Sequence, residues 1–196
     1  LFMVDKTSGT IYKYNYEEEK LLDSLKLTFQ PEYIDFGNSG LGNELYIPGD
    51  GGVLRIYNAD DFSYVDEIDV GLPLSSVVSN NNGILAVSCQ PDPWWEDPLR
   101  VYNRQTKTMI DGNGDFDFTR LRMIPATNEI IEITRNIGPT DLDYYKLDAV
   151  GNVLEHKDDP YHGDYPLDPD IFRVSPDGKY FITSSSGALY DVSLLY

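Results

Sequence analysis

The chain has 196 residues, 41% of them hydrophobic and 15 of them tyrosine, which is enough apolar material to fold around the core of one domain. Its 33 acidic against 15 basic residues leave a net charge of −18. Such a surface repels phosphate backbones and anionic membranes, and so argues against nucleic-acid binding and membrane association.

No segment approaches the ~18 consecutive apolar residues that would span a bilayer, which also speaks against membrane insertion. A single cysteine, Cys89, excludes an intrachain disulfide. The acid excess keeps an all-β surface soluble, and acidic loops also attract calcium or basic partners.

Leu1–Val4 opens the chain as a strand-like run, with no initiator Met and no signal peptide, which predicts a piece of something longer. A second strand follows at Ile11–Asn15. Glu17–Leu27 is the nearest approach to a helix, but Leu21, Leu22, Leu25 and Leu27 also fit a short strand with flanking charges. Further strands are predicted at Glu44–Ile47, Leu54–Asn58 and the more charged Tyr64–Val70. The run Ile84–Cys89 reads as a fully buried strand, which makes Cys89 a packed thiol rather than a nucleophile. Leu99–Asn103, Glu129–Thr134, Asp143–Asp148, Asn152–His156, Tyr180–Ser184 and Ala188–Ser193 continue the series. Polar turns at 37–40, 80–83, 126–128 and 175–178 supply the positive-φ positions that hairpins need.

One element recurs. A strand closing on Tyr-Asn appears at Ile11–Asn15, Leu54–Asn58 and Leu99–Asn103, with weaker copies ending at Asp148 and Ser193. The closing residues stand 43 residues apart once and 45 apart thereafter. Each copy follows an apolar strand and precedes an outer, charged one, so the unit is four antiparallel strands, a to d, joined by hairpins. One such sheet cannot bury both its faces alone, and repeats of this kind pack face to face around an axis. The prediction is an all-β, β-propeller chain of four-stranded antiparallel blades. It forms either a small ring of about five blades or an open fragment of a larger propeller. A single domain, 1–196, would comprise blades at about 1–29 (partial), 30–71, 72–117, 118–158 and 167–196 (partial).

The last copy resembles the blade motif of YVTN-type and WD-repeat-like propellers. Ser175-Pro176-Asp177-Gly178 stands as the turn between the first two strands, and Gly187-Ala188-Leu189-Tyr190-Asp191-Val192 as the third, with Ser193 where an Asp is usual. The other copies keep the rhythm without that turn. The resemblance implies a superfold that hosts many functions.

In this topology the b–c and d–a loops emerge at one end. The long ones are 90–98, 135–141 and 158–170, from adjacent blades, and they predict one binding rim of Asp92, Trp94, Trp95, Glu96, Asp97, Arg135, Tyr161, His162, Asp164 and Tyr165. Trp94 and Trp95 are the only tryptophans, set between prolines and acids. Exposed Trp is costly unless it meets a sugar or a partner, although one ring could lid its own blade. His162 would act as a base only if a nucleophile faced it, and no nucleophile motif is present. Asp111, Asn113, Asp115 and Asp117 alternate like the start of a calcium loop, but Phe116 replaces the required Gly and Arg122 stands where the closing Glu belongs. The competing reading is a Gly/Asn/Asp turn between blades.

The sequence thus points first to a non-catalytic binding or structural module, without cofactor. It would engage a protein partner or surface glycan through the rim and assemble with further copies of itself through open strand edges. An acidic, Lys-poor composition and the YVTN-type resemblance place it outside the cytoplasm of a bacterium or archaeon, secreted or at the cell surface. The second reading is a calcium-dependent propeller hydrolase or lactonase-like enzyme using the acidic rim.

Overall fold

The structure is a computed structural model that describes residues 1–91, 96–160 and 166–194. Its first sheet holds β1 (Phe2–Asp5), β2 (Thr10–Asn15) and β3 (Lys20–Lys26). The second holds β4 (Asp35–Asn38), β5 (Asn43–Pro48), β6 (Val53–Asn58) and β7 (Tyr64–Asp69), and the third holds β8 (Leu74–Ser79), β9 (Ile84–Cys89), β10 (Leu99–Asn103) and β11 (Met109–Asn113). The fourth comprises β12 (Arg120–Met123), β13 (Glu129–Ile133), β14 (Leu142–Leu147) and β15 (Val153–Asp158). The fifth comprises β16 (Phe172–Val174), β17 (Tyr180–Thr183) and β18 (Leu189–Asp191).

Each sheet is an antiparallel meander in chain order, which makes the chain five blades of a β-propeller: three of four strands, flanked by two of three. The only helical element among the described residues is a 3-10 turn at Asp50–Gly52, and no helix there is long and apolar enough to cross a membrane. The ambiguous 17–27 stretch holds a turn and then strand β3, whose residues are mostly exposed, as an outermost strand allows.

Packing follows from strand alternation. In β5, Leu45 and Ile47 face the first sheet, in a cluster with Ile11, Ala59 and Phe62. Tyr46, between them, faces the third sheet with Leu54, Ile56, Val77 and Val87. In β13, Ile130 joins Leu99, Val101 and Tyr145 on one side, while Ile131 and Ile133 join Phe172 and Phe181 on the other. Four apolar clusters therefore sit between consecutive sheets, and the middle strands belong to two clusters each.

The recurrent Tyr-Asn has a physical role. Asn58 Oδ1 accepts from the backbone N–H of Asp60 at 2.7 Å and of Asp61 at 3.4 Å. Asn15 does the same for Glu17 and Glu18, and Asn103 for Gln105 and Thr106. Asp148 takes the part in the fourth sheet with Val150, Gly151 and Asn152. These are Asx turns, in which a short side chain supplies the acceptor that opens the c–d hairpin. A β-bulge falls beside each: between Lys13 and Tyr14, Ile56 and Tyr57, Val101 and Tyr102, and Lys146 and Leu147. In the fifth sheet the acceptor is Asp191, which takes Ser193 N–H at 2.8 Å, so the last copy closes two residues earlier than the repeat alone suggests.

The turns follow expectation with one shift. Gly83, Ala126 and Gly178 hold positive φ in the a–b turns. In the second sheet, however, Gly37 and Asn38 belong to β4, and the turn falls at Gly40 and Gly42.

Two predictions follow from the hairpins. Asn58→Ala removes two side-chain-to-backbone bonds and lowers unfolding free energy by about 1–2 kcal/mol in a urea titration, whereas an unchanged midpoint would remove the Asx turn from the account of the repeat. Gly52 has φ of 74°, and a Cβ there would lie 2.7 Å from Leu72 N and 2.9 Å from Leu72 O. Gly52→Ala therefore costs roughly 2–4 kcal/mol, more than Gly40→Ala, which shares the positive φ but meets nothing; equal losses would contradict the steric argument.

Candidate functional site

The b–c and d–a connections share one end of the blades, and each loop is tied at its base. In the 90–98 loop, Cys89 N–H donates to Pro98 O at 2.8 Å, with Cys89 Sγ 3.0 Å from the same oxygen. Burial pushes that thiol up to about 11, consistent with a packed cysteine. In the 135–141 loop, Asp141 N–H donates to Thr134 Oγ1 at 2.7 Å and Thr134 N–H to Asp141 O at 3.1 Å. In the 158–170 loop, Asp168 accepts from the N–H groups of Asp170 and Ile171 and bonds the Ser184 hydroxyl. That Ser184 bond, with the two backbone donors, holds the Asp168 carboxyl below its ordinary range.

Two loops meet at one carboxylate. Asp170 lies 3.2 Å from Arg135 Nε and 3.4 Å from Arg120 Nη2, so the d–a loop before the fifth sheet grips the b–c loop of the fourth. Asn136 Nδ2 donates to Asp117 Oδ1 at 3.1 Å, which ties in the preceding d–a loop. Glu96 lies 3.7 Å from Arg100 within its own blade, and Asp97 packs against Gly112. Asp92, Trp94, Trp95, Tyr161, His162, Asp164 and Tyr165 lie outside the described residues.

The four alternating residues of the expected calcium loop are engaged separately. Asp111 and Asn113 belong to β11 rather than to a loop. Asp111 accepts from Val153 N–H at 2.8 Å, Asn113 from Gly114 N–H at 2.7 Å, and Asp115 faces His156 at 4.0 Å. Among the described residues no group of three or more His, Cys, Asp or Glu side chains is placed to hold a metal ion.

The interior holds polar groups that sequence reasoning missed. Ser75 Oγ lies 2.9 Å from Ser88 Oγ, which accepts from Thr119 N–H and Thr119 Oγ1 at 3.0 and 2.7 Å. Glu132 and Asp143, each 1% exposed, oppose one another across β13 and β14. Burial first, and then Asp143, raises the Glu132 carboxyl well above the ordinary range. A proton on Glu132 cancels one of two facing charges, and it supplies a donor where Glu132 Oε1 and Asp143 Oδ1 are otherwise without partners. His156 stacks on Tyr145 and lies 3.4 Å from Asp143, and that contact raises its pKa.

At the opposite end, Arg104 donates to Glu44 through Nη2 and Nε, at 2.8 and 3.0 Å, with both side chains buried between the second and third sheets. Nearby, Asn80, Asn81, Asn82, Thr127 and Asn128 line an open depression of about 450 Å³. Asp35 accepts from Ser79 N–H and Oγ at 3.0 and 2.9 Å, yet desolvation raises its carboxyl to about 7. The only local signal for these groups is their polarity inside apolar runs.

The sequence matches no protein-family model and no curated protein. Solved structures share the fold. Hydrazine synthase of Kuenenia stuttgartiensis is similar over 92% of this chain and 50% of its own, at 19% identity and a TM-score of 0.65. A functionally unknown protein from Desulfotomaculum acetoxidans matches 94% of this chain and 57% of its own, at 11% identity and a TM-score of 0.69. A chain of a mitotic checkpoint complex matches 94% of this chain and 59% of its own, at 16% identity and a TM-score of 0.64. The chain thus spans between half and three-fifths of these structures. The class defined is a β-propeller, a superfold that hosts many functions.

The raised carboxyls set a pH dependence. A folded-state pKa above the unfolded one means that the folded protein keeps a proton the unfolded chain has released, so stability falls as pH climbs from about 4 and levels off past the folded pKa, about 7 for Asp35. Asp35→Asn should flatten the fall in Tm across that window, and Glu132→Gln should likewise flatten the fall that begins above the ordinary carboxylate range. Parallel wild-type and variant profiles would show that both groups ionise freely.

Proposed function

We propose that the chain is a non-catalytic binding module that engages a protein partner, or a surface glycan, through the rim of b–c and d–a loops. The carrying observation is the Asp170 carboxylate held by Arg135 and Arg120, which fixes loops of two blades as one surface. Loops closed at their bases lose little conformational freedom on binding, which favours recognition. Trp94 and Trp95 are assigned here as the anchors of the contact, because large aromatic side chains supply most of the energy at such surfaces.

Support for assembly with further copies comes from the exposed apolar residues Leu21, Leu22, Ile182 and Leu189 of the first and fifth sheets. The acidic, Lys-poor composition and the YVTN-like last blade favour a place outside the cytoplasm. The calcium-dependent hydrolase reading has no comparable observation behind it.

The test is a crosslinkable amino acid at position 96, with captured proteins identified, in parallel with a surface-polysaccharide array. Trp94→Ala/Trp95→Ala should weaken whichever ligand is found at least tenfold at unchanged Tm. Retained affinity would remove the rim as the binding surface.

A further inference from the structure

Positive charge is scarce in this chain, with 15 basic residues against 33 acidic ones, yet four arginines gather along the inner strands of the fourth and fifth sheets. Arg120 and Arg122 are alternate residues of β12, so they leave the strand on one face. Arg173 lies on β16, and Arg135 follows β13. The guanidinium carbons of Arg120 and Arg122 lie 4.3 and 5.1 Å from the centre of a single ring, that of Tyr33. Phe172 stands 5.2 Å from Arg122.

The countercharge does not balance them. Asp170 serves both Arg120 and Arg135. Glu32 acts on Arg120 only through space and is itself bound to Lys6 at 2.9 Å. Arg122 spends Nε and Nη1 on the backbone oxygens of Phe172 and Leu121, both at 3.3 Å, and Arg173 spends Nη1 on Phe172 O at 2.8 Å. Among the described residues neither Arg122 nor Arg173 meets a carboxylate. Burial first, and then the neighbouring cation, lowers Arg120 and Arg122 alike to about 10. Like charges held together at a partly dry wall are costly unless an anion joins them.

We propose that this cluster binds an oxyanion, a carboxylate or phosphate group of a small ligand. Arg122 and the exposed Arg173 hold the group, and Arg120 and Arg135 add to the field that attracts it. The Nε and Nη2 edge of Arg173 matches two oxygens of such a group at once, Arg122 adds Nη2, and the aromatic faces of Tyr33 and Phe172 keep Arg122 oriented. The site needs neither Trp94 nor Trp95, although it shares Arg120 and Arg135 with the rim.

The probes are inorganic phosphate and succinate, each titrated calorimetrically at constant ionic strength set with chloride, because a protein of charge −18 is stabilised by any salt. Saturable one-to-one binding of either probe is expected, with a Tm that rises with its concentration. Binding of phosphate alone assigns a phosphate group, and binding of succinate alone a carboxylate. Arg122→Gln and Arg173→Ala should each weaken binding at least tenfold, while Lys179→Ala, an exposed cation paired with Asp177, should leave it unchanged. Arg173 is exposed, so its variant keeps the test decisive if Arg122→Gln does not fold. The proposal is overturned if neither probe saturates, if chloride stabilises equally, or if both arginine variants bind as the wild type does.

Discussion

The middle strands of every four-stranded sheet are apolar on both faces, and no such sheet is stable without a neighbour on each side. Leu45 and Ile47 against Tyr46, and Ile131 and Ile133 against Ile130, show the constraint within single strands. Burying both faces forces the sheets to pack in succession, with each first strand innermost. That arrangement sets Ser75 beside Thr119, and the arginines of β12 beside Phe172 of β16, although about 45–50 residues separate each pair. The polar interior follows from the apolar packing.

Register within each sheet depends on a smaller device. The Asx turn and its bulge place the outer strand so that its polar residues face water while Ile68 or Val153 still turns inward. A hairpin closed by one side-chain acceptor tolerates wide variation elsewhere, which fits a repeat that survives as Tyr-Asn in three copies and as an aspartate in two.

Charges lie where sheets meet. Arg104 with Glu44 joins the second sheet to the third, and Glu132 with Asp143 sits at the face between the third and fourth. Arg120 with Asp170 joins the fourth to the fifth. Breaking the buried Arg104–Glu44 pair leaves an uncompensated charge, so that contact penalises wrong packing more than it stabilises the right one.

Strand order, hairpin positions and the repeat were legible in the chain because each is written in neighbouring residues: alternation in Ile84–Cys89, an acceptor at Asn58, a glycine at Gly83. Other features had no local signature. Asp111 looked like a loop ligand and is a strand residue bound to Val153. Glu132 looked like one acid among many and is a buried carboxyl facing another. Arg120, Arg122 and Arg173 stand in two strands whose sequences say nothing of each other. Such groupings are set by contacts between sheets, where partners lie dozens of residues apart and burial, rather than residue type, decides what each charge does.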